Sequence, residues 1–438
     1  MFYKILMITV GLFLGAITVP SWGGEKDNWV IIHAGTLLAD ARLETRSKQS
    51  IIVKNDSIFD IRAGYISATD LPGAGDVEII NLKDKFVMAG MIDSHTHVTG
   101  EIEPHEREKA VTTSDSEYAL AGSVYARRVL NAGFTTVRNV GAPRESIFAL
   151  RNSIRKGQIL GPRILAAGWA ISPLGGHGDE NGFRPDVFGT PHSGICNGAD
   201  DCRRAVRDQI KYGADVIKYV ATGGVLSKIA TGTGQQFTDA EQVAIVQSAH
   251  AMGRKVAAHA HGKGGIEAAL RAGVDSIEHG SYLDKGTIKL FRKHGAYLVP
   301  TLLAGATVVD MAVNQPGFFT PEVAAKAILV GPVMAKALYF AYKNGVKIAF
   351  GTDSGVSAHG INGRELVLMV QAGMAERDVI ISATVNAADL LGLPDRIGTL
   401  DAGKSADIIA ASGDPLKDIS TLLSPDFVMV RGVVAVDK

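Results

Sequence analysis

The sequence predicts an α/β protein: a (β/α)8 TIM-like barrel with a small β-sandwich domain built from both chain ends. Two patterns predict it. Through the middle of the chain, amphipathic runs that end in glycine alternate with short apolar stretches, the rhythm of helix followed by buried parallel strand. At both ends the rhythm changes to short alternating stretches broken by turn residues, the mark of a separate sheet. Size agrees, because 438 residues with 46% hydrophobic side chains fill a large core without staples.

In chain order, Met1-Phe2-Tyr3-Lys4 supplies one positive charge ahead of the apolar stretch Ile5–Val19, and small residues Ser21 and Gly23 follow. Such a stretch is too short to span a bilayer, so residues 1–23 read as a signal peptide, with an uncleaved anchor as the alternative. The mature protein is then expected to be exported, to the bacterial periplasm or beyond, with no stable membrane insertion. Residues 24–85, with turns at Lys54-Asn55-Asp56 and Pro72-Gly73, join residues 395–438 in the sandwich domain. Residues 86–394 form the barrel. Its strands are expected at Phe86–Met91, at Arg163–Ala167, and after Gly133, Gly213, Gly253, Gly273, Gly295 and Gly345. An insertion after the seventh strand, Leu302–Asn344, carries a helical stretch at Pro321–Lys343 that would overhang the barrel mouth.

Charge excludes one class of partner. The 45 basic and 45 acidic side chains cancel, which leaves no broad field for nucleic acid. Cys196 and Cys202 are six apart, and in an oxidising compartment they read either as a local disulfide or as two free thiols.

Barrel active sites lie at the carboxyl ends of the strands. The residues expected there are Arg138, Lys218, His259, His279, Thr301 and Asp353, and the first strand leads into Asp93-Ser94-His95-Thr96-His97. His95 and His97 are two apart, so on a strand both face one side and can share one metal ion. Imidazoles with a carboxylate suit zinc. An ammonium cannot ligate a metal, but a buried lysine with a depressed pKa can add CO2 and become a bridging carboxylate. The other reading pairs Lys218 with a strand carboxylate.

The order His-x-His, Lys, His, His, Asp on successive strands resembles the amidohydrolase superfamily, binuclear type with a carboxylated lysine. Closer matches are Met91-Ile-Asp-Ser-His-Thr-His97, Gly133-Phe-Thr-Thr-Val-Arg-Asn-Val-Gly141, Val216-Ile-Lys-Tyr-Val-Ala-Thr-Gly-Gly-Val-Leu-Ser227, Ala258-His-Ala-His-Gly262 and Gly351-Thr-Asp-Ser-Gly355. These resemble the imidazolonepropionase-like branch, which includes Xaa-Pro dipeptidases, carboxypeptidase-like relatives and ochratoxin-hydrolysing amidohydrolases. True imidazolonepropionases lack the strand-four lysine, so Lys218 argues against that activity. The resemblance implies one divalent metal, zinc by default, on His95, His97, carboxylated Lys218 and Asp353. It implies a second on the other carbamate oxygen, His259 and His279, with a hydroxide between them and Asp353 as general acid/base. The implied activity is hydrolysis of a small amide with a free carboxylate, in a homo-oligomer. On the same centre, the alternatives are a lactone, cyclic amide or phosphotriester hydrolase, or a binding protein without turnover.

Further residues are candidates for holding substrate. His261 shares the side of His259 and has no ligand slot left, so it reads as a carbonyl or carboxylate donor or as support for a ligand. Tyr219 follows the lysine and reads as a substrate hydrogen bonder or as core. His177, in the glycine-rich loop Pro173–Glu180, would close over the site or lie on the surface. Arg138 pairs with a substrate carboxylate or with a structural acid, and His359 is equally open. The loops Ala221-Thr-Gly-Gly224 and Thr231-Gly-Thr-Gly234 lack a following Gly-Lys-Ser/Thr, so they are not phosphate loops.

Overall fold

The computed structural model describes residues 27–71, 73–104, 106–184, 186–227 and 232–438; the expected signal peptide, 1–23, lies outside them. Four strands open the described chain: β1 (Trp29–Leu38), β2 (Arg46–Lys54), β3 (Ser57–Ala63) and β4 (Val77–Ala89). Eight follow: β5 (Met91–Thr96), β6 (Phe134–Asn139), β7 (Arg163–Ala166), β8 (Ile217–Val220), β9 (Val256–Ala260), β10 (Ser276–His279), β11 (Tyr297–Val299) and β12 (Lys347–Ile348). Three more, β13 (Ile408–Ala411), β14 (Phe427–Val430) and β15 (Val433–Asp437), come last.

Both chain ends meet in one seven-stranded sheet of order β15-β14-β13-β4-β1-β2-β3. The pleat divides its apolar residues between two cores. Ile408, Ala410 and Met429 join Val30, Ile32 and Val87 in a core of the sheet's own. Their neighbours Ile409, Ala411, Val428 and Val430 face the other way, into the large core that holds Met91, Phe134 and Phe350.

One expected strand is divided. The sequence put the first strand of the parallel set at Phe86–Met91, but Phe86–Ala89 forms the end of β4, paired with β1 and β13. Gly90 then parts it from β5. A Cβ at Gly90 would stand 2.2 Å from Thr135 Oγ1, so the chain passes β6 too closely for any side chain. An unbroken apolar run cannot show that bend in advance.

β5 to β12 are all parallel, in a sheet of order β5-β6-β7 and another of order β12-β11-β10-β9-β8. Backbone hydrogen bonds join the two sheets at both edges. Val220 N donates to Ile171 O (2.9 Å) on one side, and Asp353 N donates to His95 O (2.8 Å) on the other. The insertion after β11 holds two helices, Leu302–Asn314 and Pro321–Lys343, where the sequence showed one. Buried Glu365 fixes the start of the first, accepting hydrogen bonds from Leu302 N and Leu303 N. The second is long and apolar enough to cross a membrane by length and composition. Here it packs on the first at Gly305 and Gly331, where a Cβ on either would overlap the facing helix. Cys196 and Cys202 form a disulfide.

Candidate metal centre

Six histidines, Lys218 and Asp353 line one cavity of about 290 Å³. The strands bring them there. Lys218 and Val220 alternate toward the cavity on β8, and His259 and His261 do so on β9 and just beyond it. Two further groups arrive by breaking the alternation. His279 has φ +71° and Asp353 φ +57°, a conformation that turns the strand-end side chain inward. Thr301, at φ +51°, is hydrogen-bonded to His279 Nδ1 at 2.7 Å. Left-handed backbone at non-glycine residues costs about 1–3 kcal/mol each, so the surrounding fold must enforce it.

The rings are held from behind. His95 Nδ1 donates to Glu278 Oε2 (2.7 Å) and His97 Nδ1 donates to Gly141 O (2.7 Å). His261 Nδ1 is bonded to Ser281 Oγ at 2.7 Å. In each case Nε2 is left for the cavity; the carboxylate and the carbonyl fix the tautomer and orientation of His95 and His97 as metal-binding rings, while the Ser281 hydroxyl, able to donate or accept, orients His261 in either tautomer. Asp353 Oδ1 lies 3.4 Å from His95 Nε2 and 3.2 Å from His97 Nε2.

These donors fit divalent metals. One group is His259, His261 and His279, and another is His95, His279 and Asp353; within each, the donor atoms lie within 4.8 Å of one another. Protonation suits ligation as well. Burial drives His259 and His279 well below the usual histidine pKa, His261 to about 3 and His177 to about 4, so these rings are neutral. Burial pushes the Asp353 carboxyl up, but His95 and His97 outweigh it and hold the group ionised. Burial lowers Lys218 to about 8 despite Glu278 and Asp353 nearby, which leaves a substantial share as free amine at mildly alkaline pH.

Comparison with known proteins shows the family. The model of the amidohydrolase family matches residues 86–435. This chain belongs to the amidohydrolase family. Ochratoxinase from Aspergillus niger is 33% identical over 358 residues, covering 77% of this chain and 72% of that protein. Among solved structures, a Xaa-Pro dipeptidase with methionine bound in its active site is 40% identical. It covers 93% of this chain and 99% of its own, with a TM-score of 0.88. A prolidase complexed with N-methylphosphonate-L-proline is 28% identical, covering 94% of this chain and 100% of its own, with a TM-score of 0.85.

Within this amidohydrolase, three expected substrate residues lie elsewhere. Tyr219 faces away from the cavity, because it neighbours Lys218 on a pleated strand; its hydroxyl donates to Gln242 Oε1 (2.9 Å) beneath the helix Asp239–Ala251. Arg138 is fully buried and occupied. It donates to Glu278 Oε1 (2.9 Å), to Ser276 Oγ (3.1 Å) and to Ser94 O, so of its two readings the structural acid is what the fold contains. His359 donates from Nε2 to Gly100 O (2.9 Å) and accepts at Nδ1 from Ser354 Oγ (2.8 Å), which leaves neither ring nitrogen for a substrate. His177 and His261 do line the cavity.

Glu278 escaped the sequence reading. It sits between Arg138 and His95, and burial, which would raise its pKa, is outweighed by Arg138 and His95, which bring it to about 2. Its signal was present in Ser276-Ile277-Glu278-His279, a carboxylate inside a buried strand, which must have a partner. Asp93 is comparable: it accepts hydrogen bonds from Thr352 Oγ1 (2.6 Å) and Asn362 Nδ2 (2.8 Å), tying β5 to the segment that carries Asp353.

Proposed function

We propose that this amidohydrolase cleaves the amide bond of small substrates with a free carboxylate, dipeptides or N-acyl amino acids, using a pair of divalent metal ions. Xaa-Pro dipeptides and ochratoxin-like aryl amides are the specific candidates, suggested by the relatives above. The observation that carries the reading is the pair of donor groups sharing His279 in the cavity that Lys218 enters. His95, His97, Asp353 and carboxylated Lys218 would hold one ion, zinc by default; Lys218, His259 and His279 would hold the other. Carboxylation joins the neutral Lys218 amine to CO2 and releases one proton. The two sheets of parallel strands, bonded at both edges, would act as one (β/α)8 barrel with the site at its mouth.

Bound ions of this kind polarise a carbonyl and make water a nucleophile near neutral pH. The chain supplies the rest. Asp353 accepts the proton of the attacking water and returns it to the leaving amine nitrogen. Glu278 and Gly141 hold the His95 and His97 rings against rotation. His261, hydrogen-bonded to Ser281, is assigned to the scissile carbonyl. His261→Asn is therefore expected to lower kcat about 10²- to 10³-fold with metal content unchanged; loss of one metal per chain by elemental analysis would make it a ligand instead.

Residues 1–23 are proposed as a signal for export, in keeping with the disulfide, and the exported protein as a homo-oligomer. The test is amine release from Xaa-Pro, other dipeptides and N-aroyl amino acids, with zinc and bicarbonate, beside a chelator control. Chelator-sensitive release from carboxylate-bearing substrates is expected. Turnover of lactones or phosphotriesters alone would overturn the substrate class.

A further inference from the structure

Arg138 and His359 are committed to the fold, and Lys218 is the one lysine or arginine among the described residues lining the cavity. If Lys218 is a carbamate, as the function above has it, a substrate carboxylate must find its counter-charge at the rim. Lys326 does not itself line the cavity but adjoins residues that do. It precedes Val330 by four residues and Met334 by eight on the helix Pro321–Lys343, so it shares the helical face on which both line the cavity. Its Nζ donates to Gly224 O (2.9 Å) and to Ser227 O, which bracket Val225 and Leu226 on the facing wall. Both partners are uncharged carbonyls, and an ammonium has three donors.

A second polar group converges on the same place. A Cβ at Gly224 would stand 2.2 Å from His177 Nε2, so the His177 ring packs directly on the loop that Lys326 grips. That ring is buried in the cavity wall, its Nδ1 has no hydrogen-bond partner among the described residues, and it lies 4.6 Å from the His259 ring. Half-buried Lys326 thus bears on His177 and His261 electrostatically, helping to keep both neutral.

We propose that Lys326 determines specificity by receiving the substrate's free carboxylate on its ammonium at the cavity rim, with the neutral His177 ring as the partner beside it. The inference rests on the amide-hydrolase reading and adds to it the residue that selects acids over their neutral analogues. A carboxylate entering here exchanges solvent for a charge-assisted hydrogen bond in a partly desolvated site. A neutral carboxamide of the same shape gains no such bond.

The test uses an N-benzoyl amino acid and its primary carboxamide on the zinc- and bicarbonate-loaded full chain. The wild type is expected to prefer the acid by about 10- to 100-fold in kcat/KM, the range for one hydrogen bond to a charged group. Lys326→Met should remove that preference mainly through KM, with the carboxamide within about threefold of wild type, and Lys326→Arg should keep most of it. Equal loss on both compounds would make Lys326 only a strap between helix and loop, and an unchanged preference would also overturn the proposal. Calorimetry of the same pair on Asp353→Asn protein, with and without Lys326→Met, reads the seat without turnover. A wild type that cleaves neither compound therefore removes N-aroyl amino acids from the proposed substrates, while the calorimetric difference still decides Lys326.

Discussion

Asp353→Asn is expected to lower kcat/KM by about 10³- to 10⁴-fold, the upper range for removing a positioned acid/base, while the protein stays folded. Asparagine is the right probe for two reasons. Asp353 sits at φ +57°, and asparagine tolerates that conformation better than alanine or any branched residue, so the backbone need not move. The amide oxygen keeps the shape and place of Oδ1, which lies 3.4 and 3.2 Å from the Nε2 atoms of His95 and His97. What it cannot do is take a proton from water and return it to the leaving nitrogen. Circular dichroism should therefore differ little from wild type while amine release collapses, and metal analysis should report separately any weakening of the ion that loses its carboxylate ligand. More than a tenth of the activity surviving would remove Asp353 from the proton path.

The parts of this site legible in the sequence are those governed by local geometry. Glycine caps marked where strands begin, and counting forward from them reached Lys218, His259, His279 and Asp353, all of which line the cavity. The same pleat that aims Lys218 inward aims Tyr219 outward, so of its two readings the core is what the fold contains. Arg138 and Glu278 were illegible for another reason: their pairing spans 140 residues, and no local pattern records it. His279 adds a third kind of blindness. Glu278 and His279 are neighbours that both serve the site, which strict alternation forbids; only the left-handed turn at His279 allows it. Lys326 lay in a helix expected from the sequence, but its reach to Gly224 and Ser227 depends on how the insertion folds back over the cavity.

Lys218→Met should be as severe as the Asp353 substitution, by a separable route. Methionine keeps much of the volume and suits a buried site on β8, so the strand has no reason to unfold. The carboxylate that would bridge the ions is gone, so metal content should fall from two per chain toward one or none, with activity down about 10³-fold or more, as for a lost metal function. In wild type, loading should follow the free amine. Burial holds Lys218 at about 8; its ammonium cannot add CO2, so at a fixed concentration of dissolved CO2 lowering the pH from 8 to 6 should slow reconstitution with zinc about 50-fold, as the amine falls from about half to about 1%. The Asp353→Asn protein should show the same pH dependence in metal uptake, since its lysine is intact. Labelled bicarbonate provides the direct check: a carbamate carbon resonance should appear in wild type and Asp353→Asn and be missing from Lys218→Met. Full metal occupancy and activity without Lys218 would leave the histidines and Asp353 as the whole site and return Lys218 to a charge partner of Glu278.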